Sequence, residues 1–126
     1  MKKILLVLLI LSLLVLTVAA CGGGSEKTSS EKVDDVTAGQ IIFEKQVLGV
    51  NPGCVTCHAR EGTDVIVGPS LAGIGAKGED FIRTAILDTD AEIAEGFTAG
   101  IMPKNIKDDL SEQELDQLVK YLMTLK

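Results

Sequence analysis

The chain has 126 residues, with 12 basic and 18 acidic side chains, one histidine and a formal net charge of −6. An acidic balance argues against nucleic acid or anionic lipid headgroups as the partner surface. Three phenylalanines, one tyrosine and no tryptophan make a thin aromatic inventory, so the folded part is a small domain that needs more than its own side chains to complete a core.

The first stretch reads as a targeting signal. Lys2 and Lys3 precede an apolar run from Ile4 to Val18, followed by Ala19, Ala20 and Cys21, which is the pattern of an n-region, an h-region and a small-residue cleavage site. The run falls short of the roughly 20 apolar residues of a spanning helix, and no stop-transfer pattern follows it. Val18-Ala19-Ala20-Cys21 resembles the lipobox of bacterial lipoproteins, and the resemblance makes Cys21 the lipidated N-terminus. An odd cysteine in an exported chain calls for an explanation, and lipidation supplies it. Loss of Met1 to Ala20 removes two of the 12 basic residues and none of the 18 acidic ones, so the mature charge moves from −6 to −8. Attachment to the extracytoplasmic face of the cell membrane must then come from the lipid. The expected organisation is a signal peptide over 1–20, a lipidated N-terminus and flexible linker over 21–35, and a folded domain over 36–126. The linker, rich in glycine, serine and charge, has a root-mean-square span of about 20 Å.

Thr37 and Gln40 at capping-box spacing predict the start of a first helix that carries Ile41, Ile42, Phe43, Val47 and Leu48 and stops at Gly49. Asn51-Pro52-Gly53 predicts a turn. Asp80 to Leu87 reads as a shorter helix with Phe81, Ile82, Ala85 and Ile86 on its apolar side. Ser111 and Glu114 form a second capping box, opening a last helix with Leu115, Leu118, Val119, Leu122 and Leu125 as a buried stripe. Period-two alternation is nowhere sustained, so the expected fold is all-α.

Cys54-Val55-Thr56-Cys57-His58 is the C-x-x-C-H pattern of covalent haem attachment. Two thiols on one helical turn can add to the two vinyl groups of a porphyrin, and the adjacent histidine then lies under the iron as an axial ligand. A zinc site would need two more nitrogen or sulfur ligands, but His58 is the only histidine and the third cysteine sits at the lipobox. A thioredoxin-like redox pair would need a βαβ context that this sequence lacks. The reading is one haem c.

For the sixth iron position the candidates are Met102, Met123, a lysine, water or nothing. Met102 is favoured, because Gly100-Ile101-Met102-Pro103 is a loop in which proline biases Met102 to an extended backbone and glycine allows a bend. Met123, beside the last helix's stripe, reads as gap-filling core.

Over 36–126 these residues resemble class I cytochromes c, especially the small membrane-anchored lipoprotein cytochromes of Gram-positive bacteria. The resemblance implies that terminal helices cross around one haem, with Cys54 and Cys57 as thioether cysteines, His58 as proximal ligand and Met102 with Pro103 as the distal pair. It makes the Pro69 carbonyl, in Gly68-Pro69-Ser70-Leu71, the acceptor of the histidine's second ring proton. It also places Gly39 and Phe43 against Tyr121 where the terminal helices cross. The function implied is a single-haem carrier between redox proteins of a respiratory chain, a terminal oxidase among the acceptors, working by outer-sphere electron transfer and not as an enzyme. A thioether ligand places such a carrier on the oxidising side of the chain. A haem-based ligand sensor and an electron-delivery subunit of a larger redox enzyme are the alternatives.

Overall fold

A computed structural model of the chain describes residues 33–126. Residues 1–32, which hold the expected signal peptide, Cys21 and most of the expected linker, lie outside the described residues. Among those described, no helix is long and apolar enough to cross a membrane.

The first helix, α1, runs Asp35–Glu44, displaced from the predicted span at both ends. Its cap is Asp34 rather than Thr37: the Asp34 carboxylate accepts from the amides of Val36 and Thr37 at 3.0 Å each and from the Thr37 hydroxyl at 2.7 Å. A charged acceptor that reaches two otherwise unpaired N–H groups, at the positive end of the helix dipole, outcompetes a hydroxyl three residues on. Gln40 does not close a capping box; it donates to Glu44 at 2.9 Å. The helix ends five residues before Gly49 because Lys45 turns to extended backbone. Val47–Leu48 (β1) then pairs antiparallel with Asn51–Pro52 (β2). The turn therefore falls at Gly49-Val50, with Gly49 at φ +58°, and not at Asn51-Pro52-Gly53. This hairpin buries Leu48, while the Gly53 amide closes it onto the Gln46 carbonyl at 2.9 Å. Buried Asn51 donates to Asp109 at 2.7 Å, tying the hairpin to a distant 3₁₀ turn at Ile106–Asp109.

A single turn, α2, spans Cys54–Cys57, and α3 spans Glu79–Leu87 after a 3₁₀ turn at Ile74–Lys77. The last helix, α4, spans Glu112–Leu122 and opens on the expected capping box: Ser111 Oγ accepts from the Glu114 amide, and Glu114 accepts from the Ser111 amide at 2.9 Å. Leu115, Leu118, Val119 and Leu122 are buried as read, but Leu125 falls beyond the helix. The final residues tighten into i→i+3 bonds, with the Thr124 hydroxyl on the Tyr121 carbonyl at 2.6 Å, which competes with the helical ladder. Met123, one step past the stripe, is 38% exposed and is not the core filler expected of it.

The described residues are thus all-α apart from the two-residue strands of one hairpin. Its main packing is α1 on α4. A Cβ at Gly39 would run into the Gln117 carbonyl, so glycine is what lets the two backbones approach. Four residues on, Phe43 is fully buried against Tyr121 with ring centroids 5.6 Å apart and planes tilted by 52°, a favoured aromatic geometry. Ile82 and Ile86 of α3 complete one wall of this core. Beside this core lies the site, lined by Phe43 of α1, by α2 and α3, and by the hairpin and loops.

Candidate cofactor site

Site construction begins at Gly53, whose carbonyl accepts both the Thr56 amide at 3.0 Å and the Thr56 hydroxyl at 2.6 Å. These bonds and His58 N–H on the Cys54 carbonyl at 3.0 Å wind α2 into one turn. Cys54 and Cys57 therefore sit three positions apart on a common face, both half-buried and both free thiols. Burial pushes the Cys54 thiol above its ordinary range.

The chain then folds back on the motif. The Cys57 carbonyl accepts from Gly68 at 2.8 Å and Val67 at 3.3 Å, and the Ala59 carbonyl from Leu71 at 2.8 Å. The Ser70 hydroxyl donates to the Gly62 carbonyl at 2.7 Å. This return brings the Pro69 carbonyl to 2.8 Å from His58 Nδ1. A carbonyl only accepts, so Nδ1 carries the proton and the Nε2 lone pair of the neutral ring is left for a metal. Gly68 lies flat on the imidazole, where a Cβ would collide with the ring. The sequence reading named the Gly-Pro segment but missed this contact, which only the fold-back creates.

Cys54, Cys57, His58 and Pro69 line one cavity of about 520 Å³ together with Gly100, Ile101, Met102 and Pro103. Phe81, Ile82, Ile86 and Phe97 give it apolar walls, and Lys77, Glu92 and Glu95 are its charged lining residues. Exposed Val67, Ile93 and Ile101 bring its mouth to the surface. The five candidate residues, separated by up to 48 positions, thus meet at one cavity, while Cys21 lies outside the described residues. Also unanticipated were Thr89 and Asp90, just after α3. The buried Thr89 donates to the Met102 carbonyl at 3.4 Å, and Asp90 accepts from the Gly100 amide at 2.7 Å.

A large flat apolar group fits here: volume and lining suit it, two thiols stand at the edge, and an imidazole is held with its free nitrogen available. Among the described residues no group of three or more His, Cys, Asp or Glu is placed to hold a bare metal ion. Small helical domains built in this way are electron-transfer haem proteins with covalently attached haem c. A family model described as Cytochrome c matches residues 36–126. The chain belongs to that family, and its fold is the small class I one. Cys54 and Cys57 occupy the thioether positions of the motif. No curated protein matches the chain at a significant level.

Proposed function

We propose that this protein is a membrane-tethered, single-haem electron carrier at the extracytoplasmic face of the cell membrane, with His58 and Met102 as its axial ligands. The observation that carries the reading is the meeting of Cys54, Cys57, His58 and Met102 on one apolar cavity with His58 Nδ1 bonded to Pro69. Bound haem supplies a one-electron iron couple. The chain's own residues do the rest. Pro69 and Gly68 fix the imidazole in plane and tautomer and raise its basicity as a ligand. Phe81, Ile82, Ile86 and Phe97 exclude water. Met102 offers a thioether, a soft ligand that favours the reduced state relative to a second nitrogen.

Electron transfer needs no bond made or broken, which suits a site whose lining offers no second histidine and no buried carboxylate as an acid–base partner. In this reading the protein is a carrier rather than an enzyme. The partners in this reading are redox proteins of a respiratory chain, a terminal oxidase among the acceptors, with no nucleic acid. The tether rests on the lipobox at Cys21 and the polar linker after it. A single acyl chain binds membranes only marginally, so stable attachment needs the multi-chain lipid that such cysteines carry.

Optical spectra of the purified protein test the haem reading: six-coordinate spectra in both oxidation states, a weak near-infrared sulfur-to-iron band when oxidised, and slow or absent carbon monoxide binding when reduced. Rapid carbon monoxide uptake by the wild type would instead favour a ligand sensor. Mass spectrometry of the mature N-terminus tests the tether. A chain starting at Cys21 with a lipid mass supports it, and an unmodified Cys21 overturns it.

A further inference from the structure

The segment that carries Met102 is held differently from the rest of the site. From residue 92 to residue 104 the only backbone–backbone hydrogen bond among the described residues is Phe97 N–H on the Ala94 carbonyl. What fixes the loop is a pair of side chains presented by one turn. After α3 the Ala91 amide bonds the Asp88 carbonyl at 3.0 Å, and this turn projects Thr89 and Asp90. One carboxylate oxygen of Asp90 accepts from the Gly100 amide at 2.7 Å, and the other pairs with the Lys104 ammonium. Gly100 and Lys104 flank Met102 at two residues on either side, so a single carboxylate brackets it. Between them the Thr89 hydroxyl reaches the Met102 carbonyl. Gly100 takes φ +80°, in the left-handed region that favours glycine, and Pro103 restricts the backbone of Met102.

We infer that Asp90 is a positioning residue for the distal methionine: it staples both ends of the loop and thereby keeps the Met102 thioether at the cavity. This rests on the reading of Met102 as the sixth ligand. The Asp90 side chain is 25% exposed and its Lys104 partner 70% exposed, so the ion pair stands open to water and is screened. Lys104 and the Gly100 amide together hold its carboxyl below the usual carboxylate range, consistent with an anion in place at neutral pH.

The test uses the full-length holoprotein as wild type, Asp90→Ala, Asp90→Asn, Lys104→Met, Met102→Ala and Arg83→Ala. Arg83 makes a comparable ion pair with Asp116 at 2.7 Å, between α3 and α4, and serves as a control for general destabilisation. Readouts are the rate of carbon monoxide binding to the reduced protein, the near-infrared band of the oxidised protein, amide hydrogen exchange at Gly100 and the thermal midpoint. Losing a charge-assisted bond raises loop opening by about tenfold. Asp90→Ala should therefore speed carbon monoxide binding and Gly100 exchange by about tenfold and weaken the band. Asp90→Asn keeps an acceptor for Gly100 and loses only the ion pair, so it should recover most of the wild-type behaviour, as should Lys104→Met. Arg83→Ala should lower the thermal midpoint without changing carbon monoxide binding. If Asp90→Ala leaves binding and the band at wild-type values while Met102→Ala changes both, the proposal is wrong and the ligation reading stands. If Arg83→Ala opens the site as much as Asp90→Ala, the effect is general and the proposal is again wrong. If Met102→Ala changes neither readout, the ligation reading fails and the staple's role in it falls too.

Discussion

The two sides of the cavity are built by different means. On the histidine side, backbone bonds within one continuous fold-back, from Cys54 to Leu71, fix the ring, and a glycine is packed flat on it. On the methionine side, a loop with almost no backbone pairing is fastened by Thr89 and Asp90. The first arrangement can move only if a set of backbone bonds breaks together. The second can open by losing one carboxylate's contacts. Local stability within a protein spans from near zero to the global value, and exposed, side-chain-fastened loops sit at the low end. The two proposed axial ligands, His58 and Met102, are thus distinguished by how the chain holds them.

The largest effect expected from breaking this comparison is removal of what joins the two sides. Replacing Cys54 and Cys57 with alanine prevents covalent attachment and leaves both walls facing an empty apolar cavity of about 520 Å³. A domain of this size with so little aromatic core is marginal without its bound group. Circular dichroism of the haem-free variant should show loss of most helix and no cooperative thermal transition. A sharp transition would mean that the protein core of α1 and α4 suffices.

Next is Gly68→Ala, which attacks the histidine side alone. The added methyl must displace the imidazole or the fold-back, at a cost of about 2 kcal/mol by the usual scale of overpacking. The thermal midpoint should fall, and the ring nitrogen shifts should report a weakened Nδ1 bond to Pro69. An unchanged midpoint would show that the fold-back is as yielding as the methionine loop. Met102→Ala attacks the other side. Because Met102 is half-buried, its truncation should cost less, about 1 kcal/mol, yet open the iron to carbon monoxide. Met123→Ala, at an exposed position past α4, should cost under about 0.5 kcal/mol and leave spectra unchanged.

These contrasts also mark what could be read from the sequence. The attachment motif, the capping box at Ser111 and the stripe of α4 are local patterns and were legible, whereas the Gly39–Phe43–Tyr121 packing was expected only through the family resemblance. Pro69 was legible only through family resemblance, since nothing local aims its carbonyl at a histidine 11 positions away. The end of α1 was misplaced because Val47 and Leu48 fit a helical stripe equally well. Only the tertiary demand to bury Leu48 and to seat Asn51 on Asp109 selects the hairpin. Gly68 and Asp90 act across loops, through contacts that no spacing rule encodes. The methionine loop in particular has no periodicity, so its fastening could not be foreseen.

The smallest expected effect sharpens the comparison from outside the site. Glu114 closes the capping box of α4, and the Ser111 amide and hydroxyl, ahead of Lys45 at 3.9 Å, hold its carboxyl below the ordinary range. A folded pKa below the unfolded one means stability that is fully present above the unfolded value, near 4.5, and is lost as pH falls through the folded value. Glu114→Gln retains a capping-box acceptor and removes only the charge at the helix N-terminus, so at neutral pH it should cost a few tenths of a kcal/mol, on the order of 0.3. Its thermal midpoint should then fall less steeply than that of the wild type between pH 6 and pH 3, so that the two curves converge in acid. Parallel curves would show that this carboxylate contributes nothing to acid sensitivity. The carbon monoxide binding rate of the reduced holoprotein at neutral pH should be the same in both, because neither Ser111 nor Glu114 lines the cavity, and a change there would mean that the loop is coupled to the helix cap.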